Sequence, residues 1–233
     1  MSTKVALVTC SSLRYSPYMD IYKRILAELC IEYIIINEHE IDPISAKNHF
    51  TYDLGVQSGF IKKVGKFFGW RRFVRRILKK EQVNKVVIFT TWPGVKLVDF
   101  WTGKFRNKYI MDIRDFSSEG NSIYRKIVVF LIQKSVFTNI SSAKFRVWLD
   151  DAPKLQVIHN MPVDYVERDK STIKHDGKCV IGYVGRLNYD YQNRAIIDAC
   201  ENYSRFEFRF KGAIASKCYL KEYCEENCKK NVF

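Results

Sequence analysis

Long apolar runs are missing from this 233-residue chain. The longest, residues 127–132 and a stretch around 86–95, fall well short of the roughly 20 residues that cross a bilayer, so no transmembrane helix is expected. Proline (5) and glycine (11) are sparse, and no low-complexity tract or repeat period is present. That composition excludes collagen-like and largely disordered chains. The first ten residues hold one lysine and an apolar run of only residues 5–8, too short for the hydrophobic region of a secretory signal. The expectation is a cytoplasmic protein. Seven cysteines, an odd number scattered along the chain, fit reduced thiols better than a disulfide framework. Cys218, Cys224 and Cys228 cluster, yet spacings of six and four with no histidine nearby match no common zinc pattern. No metal site is expected.

Acidic side chains are also short in supply, 25 against 39 basic ones, for a net charge of +14. Much of the excess sits in one segment, residues 60–80. It holds Lys62, Lys63, Lys66, Arg71, Arg72, Arg75, Arg76, Lys79 and Lys80, and the first acid is Glu81 just outside. Apolar residues from Phe60 to Leu78 recur mostly at three and four, which predicts a helix with one apolar stripe and a cationic remainder. Two placements follow. The stripe packs into the domain core and leaves the cations solvated, or the aromatic stripe and cationic face lie on an anionic membrane surface. There each Lys or Arg adds on the order of 1 kcal/mol. A basic helix also suits nucleic acid, but no nucleic-acid-binding signature accompanies it. Gly65 and Gly69 each cost roughly 1 kcal/mol of helix propensity, which predicts a segment that is broken or that forms only on docking.

Elsewhere short β-branched runs alternate with helical stretches. Strands are predicted at 5–9, 33–36, 86–90, 109–113, 136–139 and 155–158, and helices at 18–29, 60–80, 94–105, 122–134 and 142–149. Strands without polar alternation, separated by helices, mean a parallel sheet covered on both faces, a doubly wound Rossmann-like α/β domain over 1–160. A polar stretch, 161–178, reads as a linker. The alternation then restarts, with strands at 179–184 and 206–210, helices at 192–203 and 216–229, and a strand-like stub at 231–233. Such a sheet is too small to stand alone. Residues 179–233 therefore read as the opening of a second Rossmann-like domain, either truncated or completed by a partner.

Four segments carry a family likeness: Met111-Asp112-Ile113-Arg114-Asp115, Asn139-Ile140-Ser141-Ser142, Val157-Ile158-His159-Asn160-Met161-Pro162-Val163-Asp164 and Ile181-Gly182-Tyr183-Val184-Gly185-Arg186-Leu187. In order and spacing they resemble the GT-B glycosyltransferases of the family 4 type. The resemblance implies an acceptor-binding N-terminal domain, a C-terminal domain that binds a nucleotide-sugar, and transfer in the cleft between them with no required metal or other cofactor. Physics gives the same location, because open α/β sheets bind ligands beyond the carboxyl ends of their strands.

Carried over residue by residue, the loop after the first strand, with Ser11, Ser12, Arg14 and Tyr18, would line the acceptor side. Many relatives have a glycine pair there, so hydroxyl and guanidinium groups would do the recognising. The alternative is a plain strand-to-helix turn capped by Ser16. Asp112, Arg114 and Asp115 follow a buried strand and would point into the cleft. Where many relatives carry a His-Asp pair, this chain has Arg114-Asp115, and a guanidinium cannot act as a base near neutral pH. Asp115 is then the expected base and Asp112 the second choice; the alternative is a salt bridge bracing the strand end. Gly185 and Arg186 would meet the donor diphosphate, with Arg194 either replacing a family lysine or lying on a helix surface. His159 reads as a strand-end residue.

Three functions follow. The parent protein transfers a sugar from a nucleotide-sugar to a polysaccharide or lipid-linked acceptor, working peripherally at the inner face of the cytoplasmic membrane through Lys62, Lys63, Lys66, Arg71, Arg72, Arg75 and Arg76. Alternatively the chain is a non-catalytic acceptor- and membrane-binding fragment, or a basic nucleic-acid-binding α/β protein.

Overall fold

The computed structural model describes residues 3–13, 16–38, 46–52, 60–150, 152–159, 179–184, 195 and 206–211. The chain divides into two compact units, Met1–Val166 and Glu167–Phe233.

In the first unit the β-branched runs form β1 (Lys4–Val8), β2 (Glu32–Asn37), β3 (His49–Thr51), β4 (Lys85–Phe89), β5 (Tyr109–Ile113), β6 (Thr138–Ile140) and β7 (Leu155–Val157). They pair in the order β3-β2-β1-β4-β5-β6-β7, every pair parallel. The helices are α1 (Met19–Glu28), α2 (Phe60–Lys80), α3 (Trp92–Lys96), α4 (Val98–Thr102) and α5 (Ser122–Lys134). This is the doubly wound Rossmann-like arrangement that the alternation of runs predicts.

The two-residue period of a strand sends alternate side chains to two cores. Ala6, Val8, Ile34, Ile36, Ile88 and Met111 pack with Trp70 and Val74 of α2, Trp101 of α4, and Val128 and Leu131 of α5. Val5, Leu7, Ile35, Val87 and Phe89 pack with Met19 and Leu26 of α1. Crossover handedness accounts for this division. The step from β1 to β2 runs one way along the sheet and all later helical steps run the other, so right-handed connections place α1 on one face and the later helices on the opposite one. Because all strands run parallel, their carboxyl ends share one edge, where the loops that could bind a ligand collect.

Several elements depart from expectation. The predicted helix over 94–105 is two short ones, parted at Leu97, whose φ of −126° leaves the helical region. The Trp101 indole N–H donates to the Pro93 carbonyl at 2.9 Å and holds the second piece against the first. The predicted helix at 142–149 is a 3-10 turn, Ala143–Val147, started by the Ser142 hydroxyl, which accepts the Lys144 N–H at 3.3 Å. The sequence reading contains no counterpart of β3. Three residues carry no periodic signal, and this edge strand is fixed from outside by Asn37, whose Oδ1 accepts the Thr51 hydroxyl at 2.8 Å.

Helix α2 runs unbroken across Gly65 and Gly69, because its C-terminal half is anchored by Trp70, Val74, Ile77 and Leu78, all buried. Its N-terminal half differs: Val64, Phe67 and Phe68 are exposed, Phe68 by 60%. No helix among the described residues is long and apolar enough to cross a membrane.

In the second unit β8 (Cys179–Val184) and β9 (Phe206–Lys211) pair in parallel, Cys179 opposite Phe206 and Val184 opposite Lys211. The helices expected at 192–203 and 216–229 lie outside the described residues, apart from residue 195, which is helical.

Candidate functional site

The candidate site is the carboxyl edge of the seven-stranded sheet, and its most constrained part follows β5. Asp112 is fully buried, and its carboxylate is paired with the guanidinium of Arg114, which is itself 4% exposed. Arg114 Nη2 donates to Asp112 Oδ2 at 2.7 Å, the Tyr22 hydroxyl donates to the same oxygen at 2.5 Å, and Asn139 Nδ2 donates to Tyr22 Oη at 2.8 Å. Arg114 Nη1 donates to the Ile158 carbonyl at 2.8 Å, and the Ser141 hydroxyl donates to the Arg114 carbonyl at 2.9 Å. One ion pair therefore ties β5, β6, β7 and α1 together. Burial and the Asp112 charge push the Tyr22 phenol far above its ordinary value. Burial pulls the Arg114 guanidinium down, but the hydrogen bond and charge of Asp112 outweigh it and raise it.

In this geometry Asp112 and Arg114 form the strand-end salt bridge that stands as the alternative to a cleft role. A carboxylate with no accessible surface, held by a guanidinium and a phenol, cannot take a proton from a substrate hydroxyl. The pair braces the strand end. Asp115, one residue past that sealed pair, is exposed. Its charge still reaches the Tyr18 phenol, which is raised by burial first and then by Asp115 and Asp112.

The loop after β1 is a hydroxyl-rich turn. Ser11 Oγ lies 3.0 Å from Thr9 Oγ1, and Ser12 is buried. The Tyr18 ring packs on Phe89 at 5.5 Å, with the Arg114 guanidinium 5.5 Å from its centre. Ser16 does not cap α1 with its side chain. The cap is Tyr18, without a side-chain bond, and the Ser16 carbonyl accepts the Met19 N–H at 3.0 Å. Arg14, Gly185, Arg186 and Arg194 lie outside the described residues. His159 Nδ1 sits 3.1 Å from the Ser141 carbonyl and is exposed at the end of the β7 segment.

Two buried clusters beside these residues have no precedent in the sequence reading. Between the residue following β2 and the last residue of α3, Lys96 Nζ binds both carboxylate oxygens of Glu38, which is 5% exposed. Burial pushes the neighbouring Cys10 thiol well up, with Lys96 opposing and Glu38 adding. After β4, the Thr91 hydroxyl donates to Glu119 Oε1 at 2.6 Å and shares a 2.9 Å hydrogen bond with the Tyr124 hydroxyl. Thr90 sits at φ +64°, a left-handed conformation that a β-branched residue rarely adopts, while its N–H donates to the Asp112 carbonyl at 2.8 Å. The contributing residues are 28 to 58 positions apart, so spacing offered no signal. The local trace of each cluster in the sequence is its acid, Glu38 just after β2 and Glu119 in the turn before α5.

Of the basic residues assigned to a surface, Arg71 and Arg75 are already engaged. They bind Asp99 at 2.9 and 2.6 Å, and Arg71 also donates to the Lys96 carbonyl at 2.6 Å. Arg72 and Arg76 are exposed and Lys66 is half-buried, whereas the side chains of Lys62 and Lys63 lie outside the description. Among the described residues no group of three or more His, Cys, Asp or Glu is placed to hold a metal ion.

No protein-family model matches the sequence. No curated protein matches it. Solved structures do match. The sucrose-phosphate synthase from Thermosynechococcus elongatus superimposes with a TM-score of 0.71 at 11% identity, covering 99% of this chain and 69% of that one. The apo lipopolysaccharide outer core galactosyltransferase WaaB gives 0.67 at 13% identity, covering 99% and 67%. Anabaena HepE in complex with UDP and glucose gives 0.59 at 13%, covering 99% and 68%. The chain spans about two thirds of the length of each. At such identities the likeness lies in the backbone alone: the chain has the fold of the GT-B glycosyltransferases.

Proposed function

We propose that the chain belongs to a nucleotide-sugar-dependent glycosyltransferase and that the carboxyl edge of its seven-stranded sheet receives the acceptor. The observation that carries this reading is the contrast between two carboxylates three positions apart. Asp112 is consumed by Arg114 and Tyr22, while Asp115 stands exposed at the strand end where α/β sheets bind ligands. Asp115 accepts the proton of the acceptor hydroxyl or orients that hydroxyl, and the Asp112–Arg114 brace keeps the β5 end fixed beneath it. Gly185, Arg186 and Arg194 are assigned to the donor diphosphate on the family resemblance. The reading requires no metal or other cofactor from this chain's residues, and its partners are the nucleotide-sugar and a glycan or lipid-linked acceptor.

The test is nucleoside diphosphate release from a panel of nucleotide-sugars, UDP-glucose among them, supplied with saccharide acceptors. Asp115→Asn should lower turnover about 100-fold, the usual contribution of a general acid or base, with the affinity for UDP nearly unchanged. Unchanged turnover with a lowered melting temperature would make Asp115 a structural residue and end the assignment.

A peripheral position on the inner face of the cytoplasmic membrane is supported by one feature, the exposed Val64, Phe67 and Phe68 beside Lys66 and Arg72 on α2. Phe67→Ser with Phe68→Ser should abolish sedimentation with phosphatidylglycerol vesicles, since these rings are the part of the stripe that the core does not use. Retained sedimentation rejects the membrane placement.

A further inference from the structure

Two large rings stand exposed at the carboxyl edge: Trp92, 43% exposed, and Phe116, 54% exposed. They follow the neighbouring strands β4 and β5, three residues beyond Phe89 and four beyond its register partner Asp112. Aromatic surface left in water is unfavourable in proportion to its area, yet both rings are propped in place. Trp92 meets Tyr124 edge-on at 5.2 Å, and Phe116 stands at 88° to Trp148 at 5.4 Å.

The turn between the two rings is built from buried polar contacts. Glu119, 1% exposed, accepts the Thr91 hydroxyl at 2.6 Å and the Ser117 N–H at 2.5 Å. Asn121 Oδ1 then accepts the N–H groups of Ile123 and Tyr124 at 3.0 and 3.1 Å and starts α5. A Cβ built on Gly120 would lie 3.8 Å from Phe116 Cζ, so the turn abuts the Phe116 ring. Through Thr91 the same turn is bound to the residue preceding Trp92. The exposed carboxylate of Asp115 directly precedes Phe116.

Two fixed rings and a carboxylate on one edge suit a ligand that is apolar on its faces and hydroxylated on its rim. A pyranose has that character, since its C–H groups stack on aromatic faces and its hydroxyls donate to a carboxylate. An acyl chain would use the rings but strip water from Asp115 without replacing it, and an anionic group would be repelled by it.

We propose that Trp92 and Phe116, with Asp115, form a saccharide-stacking platform that selects the sugar ring of the acceptor. This rests on the glycosyltransferase reading above and extends it: the acceptor is held by a sugar unit.

The experiment is saturation-transfer NMR on the 233-residue chain without nucleotide. The probes are methyl β-D-glucopyranoside, methyl β-D-galactopyranoside and methyl N-acetyl-β-D-glucosaminide. At least one should receive saturation on the C–H protons of one ring face. Phe116→Ala and Trp92→Ala should each weaken that signal at least about fivefold, as expected for the loss of one aromatic contact. Phe116→Tyr should retain it, and Ile123→Ala, an exposed apolar residue elsewhere on α5, should leave it unchanged. Near-UV circular dichroism checks that each variant keeps its fold. No transfer to any probe, or equal transfer in Phe116→Ala and Trp92→Ala, overturns the platform. Turnover of a nucleotide-sugar without platform binding removes the platform alone. Platform binding in a protein that turns over no nucleotide-sugar keeps the platform and removes the transferase reading.

Discussion

At the scale of single residues, the two acids that flank Arg114 have opposite fates although the sequence presents them alike. Asp112 lies inside β5, where the pleat turns it toward α1 and into the reach of Tyr22, whereas Asp115 has left the strand. Breaking a buried ion pair by removing one partner typically costs about 3–5 kcal/mol, because the other charge stays desolvated. Asp112→Asn should therefore lower unfolding stability by about that much in urea titration. A loss under about 1 kcal/mol would mean the pair is solvated. Tyr124 gives a pH prediction. Burial pushes its phenol up to about 12, the Thr91 hydroxyl opposes, and the Glu119 charge adds. A phenol whose folded value is raised contributes stability that is complete below the unfolded value near 10. That contribution disappears as pH climbs through the folded value. Stability should fall between about pH 10 and 12, and less steeply in Tyr124→Phe. Identical alkaline profiles for the two proteins would show that Tyr124 is not a source of the loss.

At the scale of elements, α2 shows how one helix serves two environments. Its apolar stripe is continuous in sequence, but Trp70, Val74, Ile77 and Leu78 are buried whereas Val64, Phe67 and Phe68 are exposed. Arg71 and Arg75 close the buried part by binding Asp99 in the first turn of α4, with Arg75 also 5.3 Å from the Phe100 ring. The two helix glycines divide in the same way. A Cβ at Gly69 would fall 2.0 Å from the Tyr52 hydroxyl, and that ring is held between Trp70 at 6.1 Å and Phe73 at 5.4 Å. At Gly65 nothing lies within 4 Å. Gly65→Ala should stabilise the protein by up to about 1 kcal/mol through helix propensity. Gly69→Ala should destabilise it by about 1–3 kcal/mol through overpacking. Thermal unfolding of the pair decides the matter, and a shift in the same direction for both would contradict the packing of Tyr52.

At the scale of the whole molecule, the first unit is organised from its middle outward. Leu7, Ile88 and Met111 of β1, β4 and β5 are fully buried, and these strands have neighbours on both sides, whereas β3 and β7 form the edges with three residues each. Opening free energies should follow that order. In native-state hydrogen exchange the amides of β1, β4 and β5 should be the slowest and those of β7 markedly faster. Slowest exchange in β7 would refute a centre-out order. The net charge of +14 acts at this scale too. Any attraction to an anionic surface should weaken as salt brings the screening length from about 10 Å at 0.1 M to about 3 Å at 1 M.

By itself the sequence determined the fold class. Unbroken β-branched runs separated by amphipathic helices admit little besides a parallel sheet covered on both faces, and the runs at 109–113 and 179–184 coincide with β5 and β8. It also placed the strand-end segment containing Asp112, Arg114 and Asp115, because motifs are local and strand ends are marked by a switch from apolar to polar residues. What a side chain does there was decided only by tertiary structure. The sealing of Asp112 depends on Tyr22, 90 positions away, and on Asn139, whose amide reaches Tyr22 across 117 positions. Likewise β3 exists because Asn37 anchors it, and the Trp92–Phe116 edge exists because Thr91 meets Glu119. Periodicity reports which face of an element is apolar, but pairing across a sheet is a long-range event, and one sequence read locally carries no record of it.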